Sequence, residues 1–474
     1  MSKVYVYIWF DVEDYVSAET EESVMGVLAL LDKHKAKATC KLVAEKVRVL
    51  KQRGRKDVIN ALKRQDVGFH LDTHSRHPTI YEYLADKDVE AGGREFEMRE
   101  RAGYEYVKAT FGRPSSCFGH PGPAWAPQVY PGMRRLNIPV YLDETSILNL
   151  HDSPYYYCNV LNLNGAGRNF VSLDYFFEDP DGINRIERQY CAIYRRLVKH
   201  GGGVVSILLH PHSIFCKKSW DEVNFGLGRN PQNEEYVQPP SQLPEVRDRA
   251  YKDLDKLLSV ISSMPQTEFI TASDAVNLFK DRSTAHEYDQ SDLRTLANAL
   301  SRKISYTRLR ECYVSASEGF YLIVSALASY AKEREIPTPI RLEQPLGPLA
   351  RAKTRGTKRF ASHEFLETCE RVLNHTQSTG YIPNEILIRR STLRPEDYLV
   401  TAARLLSRVL KGKAPPSNIV AGTGNLAARH HISRGEFSKA CRWAVLPRHF
   451  KAPTILEQAV LQTWTVKPAI LRGS

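Results

Sequence analysis

The stretch Val67–Pro78, Val-Gly-Phe-His-Leu-Asp-Thr-His-Ser-Arg-His-Pro, decides how the rest of the chain is interpreted. It contains three histidines, His70, His74 and His77, within eight residues. A four-residue spacing places two side chains on one face of a helical turn, close enough to share a metal ion. The alternative is a polar loop whose histidines bind nothing.

Acidic and histidine residues elsewhere in the chain favour the metal site. An acidic cluster, Asp11–Asp14, ends the first apolar run, and a second apolar run, Gly202–Leu209, leads directly into His210. A carboxylate with two imidazoles is a ligand set that holds Zn²⁺ or a similar ion and leaves one position open for water. The sequence therefore predicts one bound divalent metal ion, zinc first, with cobalt, nickel and manganese as alternatives.

Strand and helix patterns alternate through the first part of the chain. Strands are predicted at Val4–Phe10, Lys37–Val43, Asp66–Phe69, Ile138–Leu142, Gly202–Leu209 and Glu268–Thr271, and helices at Glu21–His34, Asp57–Arg64, Asp88–Thr110, Gln128–Leu136, Arg185–Lys199 and Glu245–Ser263. This alternation predicts a parallel α/β sheet or barrel with ligands at the carboxyl ends of the strands. Asp11, His70 and His210 all fall at such ends.

Taken in order, these motifs resemble the polysaccharide deacetylase family, the NodB-like carbohydrate esterase family 4. The segments that carry the resemblance are Asp11–Asp14, Leu30–Lys41, Gly68-Phe69-His70, His70-x-x-x-His74, the proline-rich loop Cys117–Pro127, Tyr141–Thr145 and Leu208-Leu209-His210-Pro211. The resemblance covers about Val4 to Phe279. It implies an α/β fold of the NodB-like, distorted β/α barrel type.

The resemblance also implies the catalytic residues. Asp11 matches the carboxylate that serves as the base, and His210 matches the histidine that serves as the acid. Hydrolysis of an amide or ester needs an activated water, stabilisation of the oxyanion and an acid for the leaving group. A bound divalent metal lowers the pKa of its water to about 7 and polarises the carbonyl.

The metal ligands implied by the resemblance leave two alternatives open. His70 and His74 match the two metal histidines, and His74 with His77 is the second choice because His74-Ser75-Arg76-His77-Pro78 resembles the family pattern with one residue missing. The carboxylate ligand is Glu13 or Asp14. Glu13 shares a strand face with Asp11 if the strand continues, whereas Asp14 does so only if the chain has turned.

The third motif departs from the family pattern. The family commonly has Phe-Arg-x-Pro there, with an arginine that orients the catalytic carboxylate, but this chain has Phe118-Gly119-His120-Pro121. Either His120 or an arginine from elsewhere takes over, or the base is tuned differently, or catalysis is lost. The predicted substrate-binding residues in this loop are His120, Pro121 and Trp125.

The function predicted from these motifs is metal-dependent hydrolysis of a carbon–nitrogen amide bond. The first expectation is N-deacetylation of an amino sugar or its polysaccharide. One alternative is hydrolysis of another small amide, such as a cyclic ureide. A second alternative is a non-catalytic protein that binds carbohydrate or a surface through a decayed deacetylase core.

A polar break, Asp281–Asp292, predicts a domain boundary. We expect a catalytic domain over residues 1–283 and a basic, mostly helical repeat region over residues 292–474. The formal charge is −1 for residues 1–283 and +13 for residues 284–474, which together give the chain its +12. A basic region of this kind indicates contact with an anionic polymer or surface, or else a charged, solvated exterior.

Three copies of one apolar spacing define the predicted repeats. The copies are Phe320, Tyr321, Val324, Leu327 and Ala328; Phe365, Leu366, Cys369, Val372 and Leu373; and Tyr398, Leu399, Ala402, Leu405 and Leu406. A helix with one apolar stripe must bury it, so the copies should pack on each other. A degraded fourth copy spans Phe437 to Pro453. The pattern weakly resembles the pseudomurein-binding repeats of archaeal envelope proteins; a helical module that only packs or dimerises is the alternative.

Composition and the first residues suggest a cytoplasmic location. With 42% hydrophobic and 25% charged residues, the chain has the composition of a globular protein. It contains no apolar run of the ~18 residues that a membrane-spanning helix needs. The N-terminus enters a strand directly instead of resembling a signal peptide, and the eight cysteines include no Cys-x-x-Cys. A homo-oligomer is left open.

Overall fold

The N-terminal part of the chain forms one large, mostly parallel sheet with helices packed around it. The structure, a computed structural model, describes residues 3–164 and 167–471. The strands of this sheet are β1 Val4–Val12, β2 Ala38–Leu42, β3 Asp66–Phe69, β4 Cys117–Phe118, β5 Val140–Asp143, β6 Tyr155–Tyr157, β7 Val160–Asn164, β8 Phe170–Ser172, β9 Gly203–Leu209 and β10 Thr267–Phe269. The helices around it are α1 Thr20–Lys33, α2 Ala44–Gln52, α3 Lys56–Lys63, α4 Ile80–Leu84, α5 Val89–Phe111, α6 Val129–Arg135, α7 Gly182–Lys199, α8 Trp220–Phe225, α9 Pro244–Ser263 and α10 Ala272–Leu278.

Strand β1 is the centre of this sheet. Over its whole apolar run it pairs in parallel with β9, and its second half, Ile8–Val12, pairs in parallel with β2. Strand β10 takes the place of β2 beside the first residues of β1. All nine residues of β1 are buried, which explains why its sequence is a continuous apolar run and not an alternating one.

The predicted fold class is confirmed. Strands β3, β4, β5 and β7 continue the parallel sheet on one side of β2, and β8 follows β9 on the other. The sheet curls into a half-barrel that resembles the predicted distorted barrel. The carboxyl ends of β1, β3, β5 and β9 meet at one end of it, where the residues between strands and helices form the site described below.

The predicted elements are mostly found, with two local differences. The loop predicted at Cys117–Pro127 begins with the short strand β4, which pairs with β3 and β5. The stretch Leu71–His77 is not helical, and both Leu71 and His74 have positive φ values, 71° and 60°. His70 and His74 therefore do not share a helical turn, and the physical reason first given for their spacing was wrong.

The C-terminal part of the chain has helices and small two-stranded sheets, as predicted for a mostly helical region. Its helices are α11 Gln290–Leu300, α12 Ala316–Glu333, α13 Ser362–Thr379, α14 Pro395–Val409, α15 Arg434–Ala440 and α16 Pro453–Leu461. Its strands are β11 Glu287–Tyr288, β12 Thr307–Leu309, β13 Cys312–Val314, β14 Ile340–Arg341, β15 Arg359–Ala361, β16 Ile386–Ile388, β17 Ser391–Leu393, β18 Asn418–Val420 and β19 Lys467–Pro468. Among the described residues, no helix has the length and apolar content that crossing a bilayer requires.

The three clear copies of the apolar spacing lie on α12, α13 and α14, which pack together around a second hydrophobic core. Phe320, Phe365 and Tyr398, the first residue of each copy, are all buried there, and the Phe365 and Tyr398 rings stack with centroids 4.7 Å apart. The degraded fourth copy lies elsewhere, because Phe437 and Ala440 are buried in the core of the large sheet.

The end of the chain returns to the large sheet. Strand β19 pairs antiparallel with β6 at its edge. Next to this pairing, the buried ammonium of Lys467 lies 2.6 Å from a Glu318 oxygen on α12 and 2.7 Å from an Asp281 oxygen. Lys467 therefore joins the helical region to the sheet. The predicted division between residues 283 and 292 stays a prediction.

The loop that carries the histidines is held by a buried carboxyl group. The backbone N–H of Asp72 donates to Glu100 Oε2 over 2.7 Å, and the hydroxyl of Tyr83 donates to Glu100 Oε1 over 3.2 Å. Burial raises the pKa of Glu100 to about 7, and the nearby charge of Asp72 adds to the rise. The folded protein therefore binds a proton at Glu100 that the unfolded chain has already released above its ordinary pKa of 4.5.

Replacing Glu100 by glutamine should change how stability depends on pH. A raised carboxyl pKa stabilises the folded state at low pH, and this contribution is lost as the pH rises from about 4.5 to about 7. The Glu100→Gln variant can accept the Asp72 N–H through its amide oxygen and donate its amide N–H to the Tyr83 hydroxyl oxygen, but it cannot ionise. We expect similar stability for the two proteins at pH 5 and a more stable variant at pH 8, by up to ~3 kcal/mol.

Urea unfolding at pH 5, 6, 7 and 8 measures this difference. Glu105→Gln, on the same helix but paired with Lys108 at the surface, is the matched control and should give a nearly constant difference. A pH-independent difference for Glu100→Gln would contradict the assignment.

Candidate active site

Side chains at the ends of three parallel strands, β1, β3 and β9, meet at the carboxyl end of the sheet. Asp11 lies near the end of β1 and Glu13 follows that strand, His70 follows β3, and His210 follows β9. Asp11 and Glu13 are both 4% exposed and His70 is 1% exposed. Strands β3, β2, β1 and β9 are consecutive and parallel, so their carboxyl ends lie at the same edge of the sheet. These side chains therefore form one cluster.

Glu13, His70 and His74 form the group best suited to a metal ion. Glu13 Oε2 lies 3.2 Å from His70 Nε2 and 3.0 Å from His74 Nε2. One ligand atom from each of the three lies within 4.8 Å of the other two. His74 reaches this position because its backbone is left-handed at the turn after β3, with φ 60°.

The other two predicted candidates for ligands lie apart from this group. Asp14 Oδ1 accepts hydrogen bonds from the backbone N–H groups of Val16 and Ser17, each over 2.9 Å, so this carboxylate caps the turn before α1. His77 Nδ1 lies 2.6 Å from Glu82 Oε2, at the start of α4. Among the described residues, neither Asp14 nor His77 belongs to a group that could hold a metal.

Further contacts fix the orientation of all three side chains. His70 Nδ1 lies 3.0 Å from the carbonyl oxygen of Gly119, and His74 Nδ1 lies 2.7 Å from Ser75 Oγ. The indole N–H of Trp220 donates to Glu13 Oε1 over 3.0 Å. Hydrogen bonds of this kind direct the remaining ring nitrogen and carboxylate oxygen toward a common point, as in protein metal sites.

The chemistry of the group fits a divalent cation. Burial opposes a charge on Glu13, but His74 and His70 outweigh it and hold the pKa of this carboxyl well below its usual range. The group offers one carboxylate oxygen and two imidazole nitrogens. Among the described residues His74 Nε2 makes no hydrogen bond, although Glu13 Oε2 lies 3.0 Å from it. Three ligands of these types leave a coordination position for water, as in catalytic zinc sites.

Lys41 is a residue of this cluster that sequence reasoning missed. It lies opposite Asp11 in the parallel pairing of β1 and β2, and its side chain is fully buried. Its ammonium lies 3.0 Å from Asp11 Oδ1 and 2.7 Å from Asp143 Oδ2, and 4.3 Å from the centroid of the Trp9 ring. Lys41 therefore places a buried positive charge beside both carboxylates.

Gly119 makes room for this lysine. A Cβ atom at position 119 would collide with the Lys41 ammonium and with the Asp143 carboxylate. The absence of a side chain at Gly119, which follows β4, thus leaves the space that the Lys41 side chain from β2 occupies. Burial opposes the charge on Asp11, but Lys41, with His70 and His210, outweighs it and lowers the pKa of Asp11 below its usual range.

His210 lies between two carboxylates. Its Nε2 is 3.3 Å from Asp11 Oδ2, and its Nδ1 is 2.8 Å from Asp174 Oδ2. Asp174 Oδ1 also accepts the backbone N–H of His210 over 2.8 Å, so the ring is fixed in one orientation. Burial by itself lowers the pKa of His210. The negative charges of Asp174 and Asp11 have the larger, opposite effect and hold this pKa well above its usual value. A protonated His210 is able to give a proton to a leaving group.

The predicted substrate-binding residues fall in two different environments. His120 borders the cavity, with Nδ1 2.6 Å from the Tyr141 hydroxyl oxygen and 3.5 Å from Asp143 Oδ2. Trp125 is fully buried, and its indole N–H donates to the Tyr130 hydroxyl over 3.0 Å. Neither Trp125 nor Pro121 is among the described residues that line the cavity.

A cavity of about 330 Å³ connects these groups. Its lining comes from the ends of several strands, from residues 219–222 and from residues 443–444. The residues are Asp11, Glu13, His74, His120, Gly122, Pro123, Asp143, Glu144, Asp174, Tyr175, Leu208, His210, His212, Ser219, Asp221, Glu222, Trp443 and Ala444. The last two belong to the C-terminal region, so this region contributes to the site directly.

Sequence reasoning missed Asp143, Asp174 and His212 as well as Lys41. Asp143 lies in Tyr141–Thr145, one of the segments that resemble the family, and His212 lies two residues after His210. The positions of both residues next to predicted motifs could have identified them. His212 Nδ1 is 3.7 Å from Glu13 Oε1. Asp174 had no such position, because it follows β8, a strand that the sequence pattern did not predict.

The comparisons with known proteins give structural similarity without sequence similarity. No protein-family profile matches the chain, and no curated protein matches it in sequence. The resemblance of the C-terminal helices to pseudomurein-binding repeats is therefore not supported. The structure itself is similar to polysaccharide deacetylases of carbohydrate esterase family 4 over about 58% of the chain.

Three solved structures illustrate this similarity. A probable polysaccharide deacetylase from Pseudomonas aeruginosa PAO1 has 12% identity and a TM-score of 0.37. Puue allantoinase has 14% identity and a TM-score of 0.39. The peptidoglycan deacetylase PdaC from Bacillus subtilis has 13% identity and a TM-score of 0.29. Each match covers 58% of this chain, and 90%, 90% and 91% of those chains respectively. Similarity at this level concerns the fold and gives no information on the reaction.

Replacing Lys41 by methionine should be strongly destabilising. The change removes the ammonium that the buried carboxylates of Asp11 and Asp143 share, and removing one partner of a buried ion pair costs about 3–5 kcal/mol. Adding Asp143→Asn to Lys41→Met should recover part of this loss, because one of the two unpaired charges disappears. Urea unfolding of the two variants and the wild type checks both expectations. A loss below about 1 kcal/mol for Lys41→Met would contradict this role of the lysine.

Proposed function

We propose that the protein is a metal-dependent hydrolase that cleaves a carbon–nitrogen amide bond. The observation that carries this proposal is the position of Asp11 between Lys41 and His210, next to the group Glu13, His70 and His74. Asp11, His210 and two of the three candidate metal ligands, Glu13 and His74, thus border one cavity. A carboxylate base, a histidine acid and a metal-ligand set are the combination that amide hydrolysis requires.

Glu13, His70 and His74 are the residues that would hold the ion. When bound, a divalent ion lowers the pKa of a water molecule and polarises the substrate carbonyl. Asp11 accepts a proton from the attacking water, whose oxygen bonds to the carbonyl carbon. His210, oriented by Asp174, gives a proton to the leaving nitrogen as the carbon–nitrogen bond breaks. The products are a carboxylic acid and an amine, and Lys41 keeps Asp11 oriented throughout.

The substrate that we propose first is an N-acetylated amino sugar or its polymer. No lysine or arginine is among the described residues that line the cavity, whereas carboxylates and histidines are abundant. Such a lining accepts hydrogen bonds from hydroxyl groups and disfavours anionic substrates. The second candidate substrate is a small non-sugar amide, such as a cyclic ureide.

The non-catalytic alternative rested on the missing arginine of the third motif. Lys41 now accounts for that gap, since its ammonium contacts Asp11 and fills the space beside Gly119. A decayed site would leave the buried Asp11 without a counter-charge, at a cost of several kcal/mol. The arrangement therefore favours an active enzyme over a binding protein.

Metal content tests the ligand assignment. The purified protein should contain about one divalent ion per chain, and His74→Ala should remove it, because two remaining ligands hold an ion far more weakly. His77→Ala is the matched control and should keep the ion, since His77 contacts Glu82 instead of Glu13. Elemental analysis after dialysis measures the stoichiometry. Loss of the ion from His77→Ala but not from His74→Ala would overturn the ligand set.

Turnover tests the role of Asp11. An acetate-release screen over N-acetylated amino sugars, with allantoin as the ureide arm, identifies the substrate class. On a confirmed substrate, Asp11→Asn should keep the metal and lose ~10²–10⁴ in kcat, the usual cost of losing a general base. A variant with wild-type kcat would refute the assignment of Asp11 as the base.

A further inference from the structure

Trp443, from the C-terminal region, reaches the metal-ligand group of the N-terminal sheet. Its indole ring is half-buried and meets the His74 ring edge to face, with centroids 6.4 Å apart. With Ala444 it lines the cavity that contains Asp11 and His210. More than three hundred residues separate Trp443 from His74 in the chain, so only the fold brings them together.

The segment around Trp443 is firmly anchored. The backbone N–H of Leu227 donates to the Ala444 carbonyl over 2.8 Å, and that of Gly228 donates to the Val445 carbonyl over 3.0 Å. The Val445 side chain is fully buried in a small core that also contains Trp220, whose indole N–H donates to Glu13. Because Val445 and Glu13 share this neighbour, the position of Trp443 relative to the metal ligands is fixed.

The loop after β4 is shaped to receive the indole. Gly122 has φ 48°, and a Cβ atom at this position would lie 2.6 Å from both Nε1 and Cε2 of Trp443. The glycine thus allows the backbone of the His120-containing loop to approach the ring edge closely. The indole and this loop together border the cavity next to His74.

We infer that Trp443 binds the sugar ring of the substrate, as the specificity-determining residue that the C-terminal region contributes to the site. This inference rests on the proposed function. An indole offers a broad apolar surface, which suits the C–H face of a pyranose ring. Glu144 and Glu222 line the same cavity and provide oxygen acceptors for the hydroxyl groups around such a ring. The substrate class is therefore a neutral, hydroxyl-bearing ring that carries the N-acyl group.

Kinetics on two matched substrates test this inference. N-acetylglucosamine has the ring, and N-acetylethanolamine has the same acetamide without it. Trp443→Ala should raise KM for N-acetylglucosamine at least about tenfold and change kcat less than about threefold, while kcat/KM for N-acetylethanolamine stays within about twofold. Trp443→Phe should restore most of the affinity. Equal losses on both substrates would overturn the inference.

Phe450→Ala is the control for a merely structural effect. Phe450 belongs to the same segment and stacks on Tyr81, with centroids 6.1 Å apart, but it is not among the described residues that line the cavity. It should leave the ratio of kcat/KM values for the two substrates unchanged. If it changes that ratio as Trp443→Ala does, ring recognition does not reside in Trp443.

Direct binding separates this inference from the proposed function. Calorimetric titration of the metal-loaded Asp11→Asn protein with N-acetylglucosamine should give an affinity that falls at least about tenfold when Trp443→Ala is added. If wild-type protein hydrolyses neither these substrates nor any other amide in the screen, the proposed function fails, and the titration still decides the role of Trp443. No binding by the Asp11→Asn protein, or equal binding with and without Trp443, would refute it.

Discussion

The site depends on one buried ion-pair arrangement, in which the Lys41 ammonium lies between the carboxylates of Asp11 and Asp143. Two carboxylates at this depth repel each other and lose their hydration, so they do not both remain charged at neutral pH without a cation. Lys41 meets that need and also lies over the Trp9 ring. One oxygen of Asp11 is occupied by the lysine, and the other faces His210. The lysine thus determines which oxygen is free to take part in chemistry.

The register of the sheet places this lysine. Lys41 pairs with Asp11 on one side and with Gly68 on the other, so the three positions form one row across β1, β2 and β3. A side chain at position 68 would contact the lysine stem and Cys117, and one at position 119 would displace the ammonium. Two glycines on neighbouring strands therefore create the volume that a long cationic side chain fills. Compensation of this kind depends on packing volume as much as on charge.

The sequence predicted the features that depend on local patterns of residues. It did not predict the contacts that depend on which strands pair and in which register. The buried run of β1, the helix periodicity of α1 and the alternation of strands with helices predicted the parallel sheet, because burial imposes those patterns. His70 and His74 were found from their spacing, although a left-handed turn and not a helix brings them together. Lys41 was not found, since a lysine inside an apolar strand looks like an edge or surface residue until its partner across the sheet is known.

The C-terminal region has two features that lie in different places, its positive charge and the segment that reaches the cavity. Its formal charge of +13 does not reach the reaction cavity, whose described lining contains no lysine or arginine. What it contributes there is the uncharged pair Trp443 and Ala444, held by a segment whose apolar side chains pack in the core of the large sheet. A basic surface that contacts a polymer would therefore act by bringing substrate near, through long-range attraction that salt screens. Recognition within the cavity depends instead on contact over a few ångströms, so the two effects are physically independent even though one region of the chain supplies both.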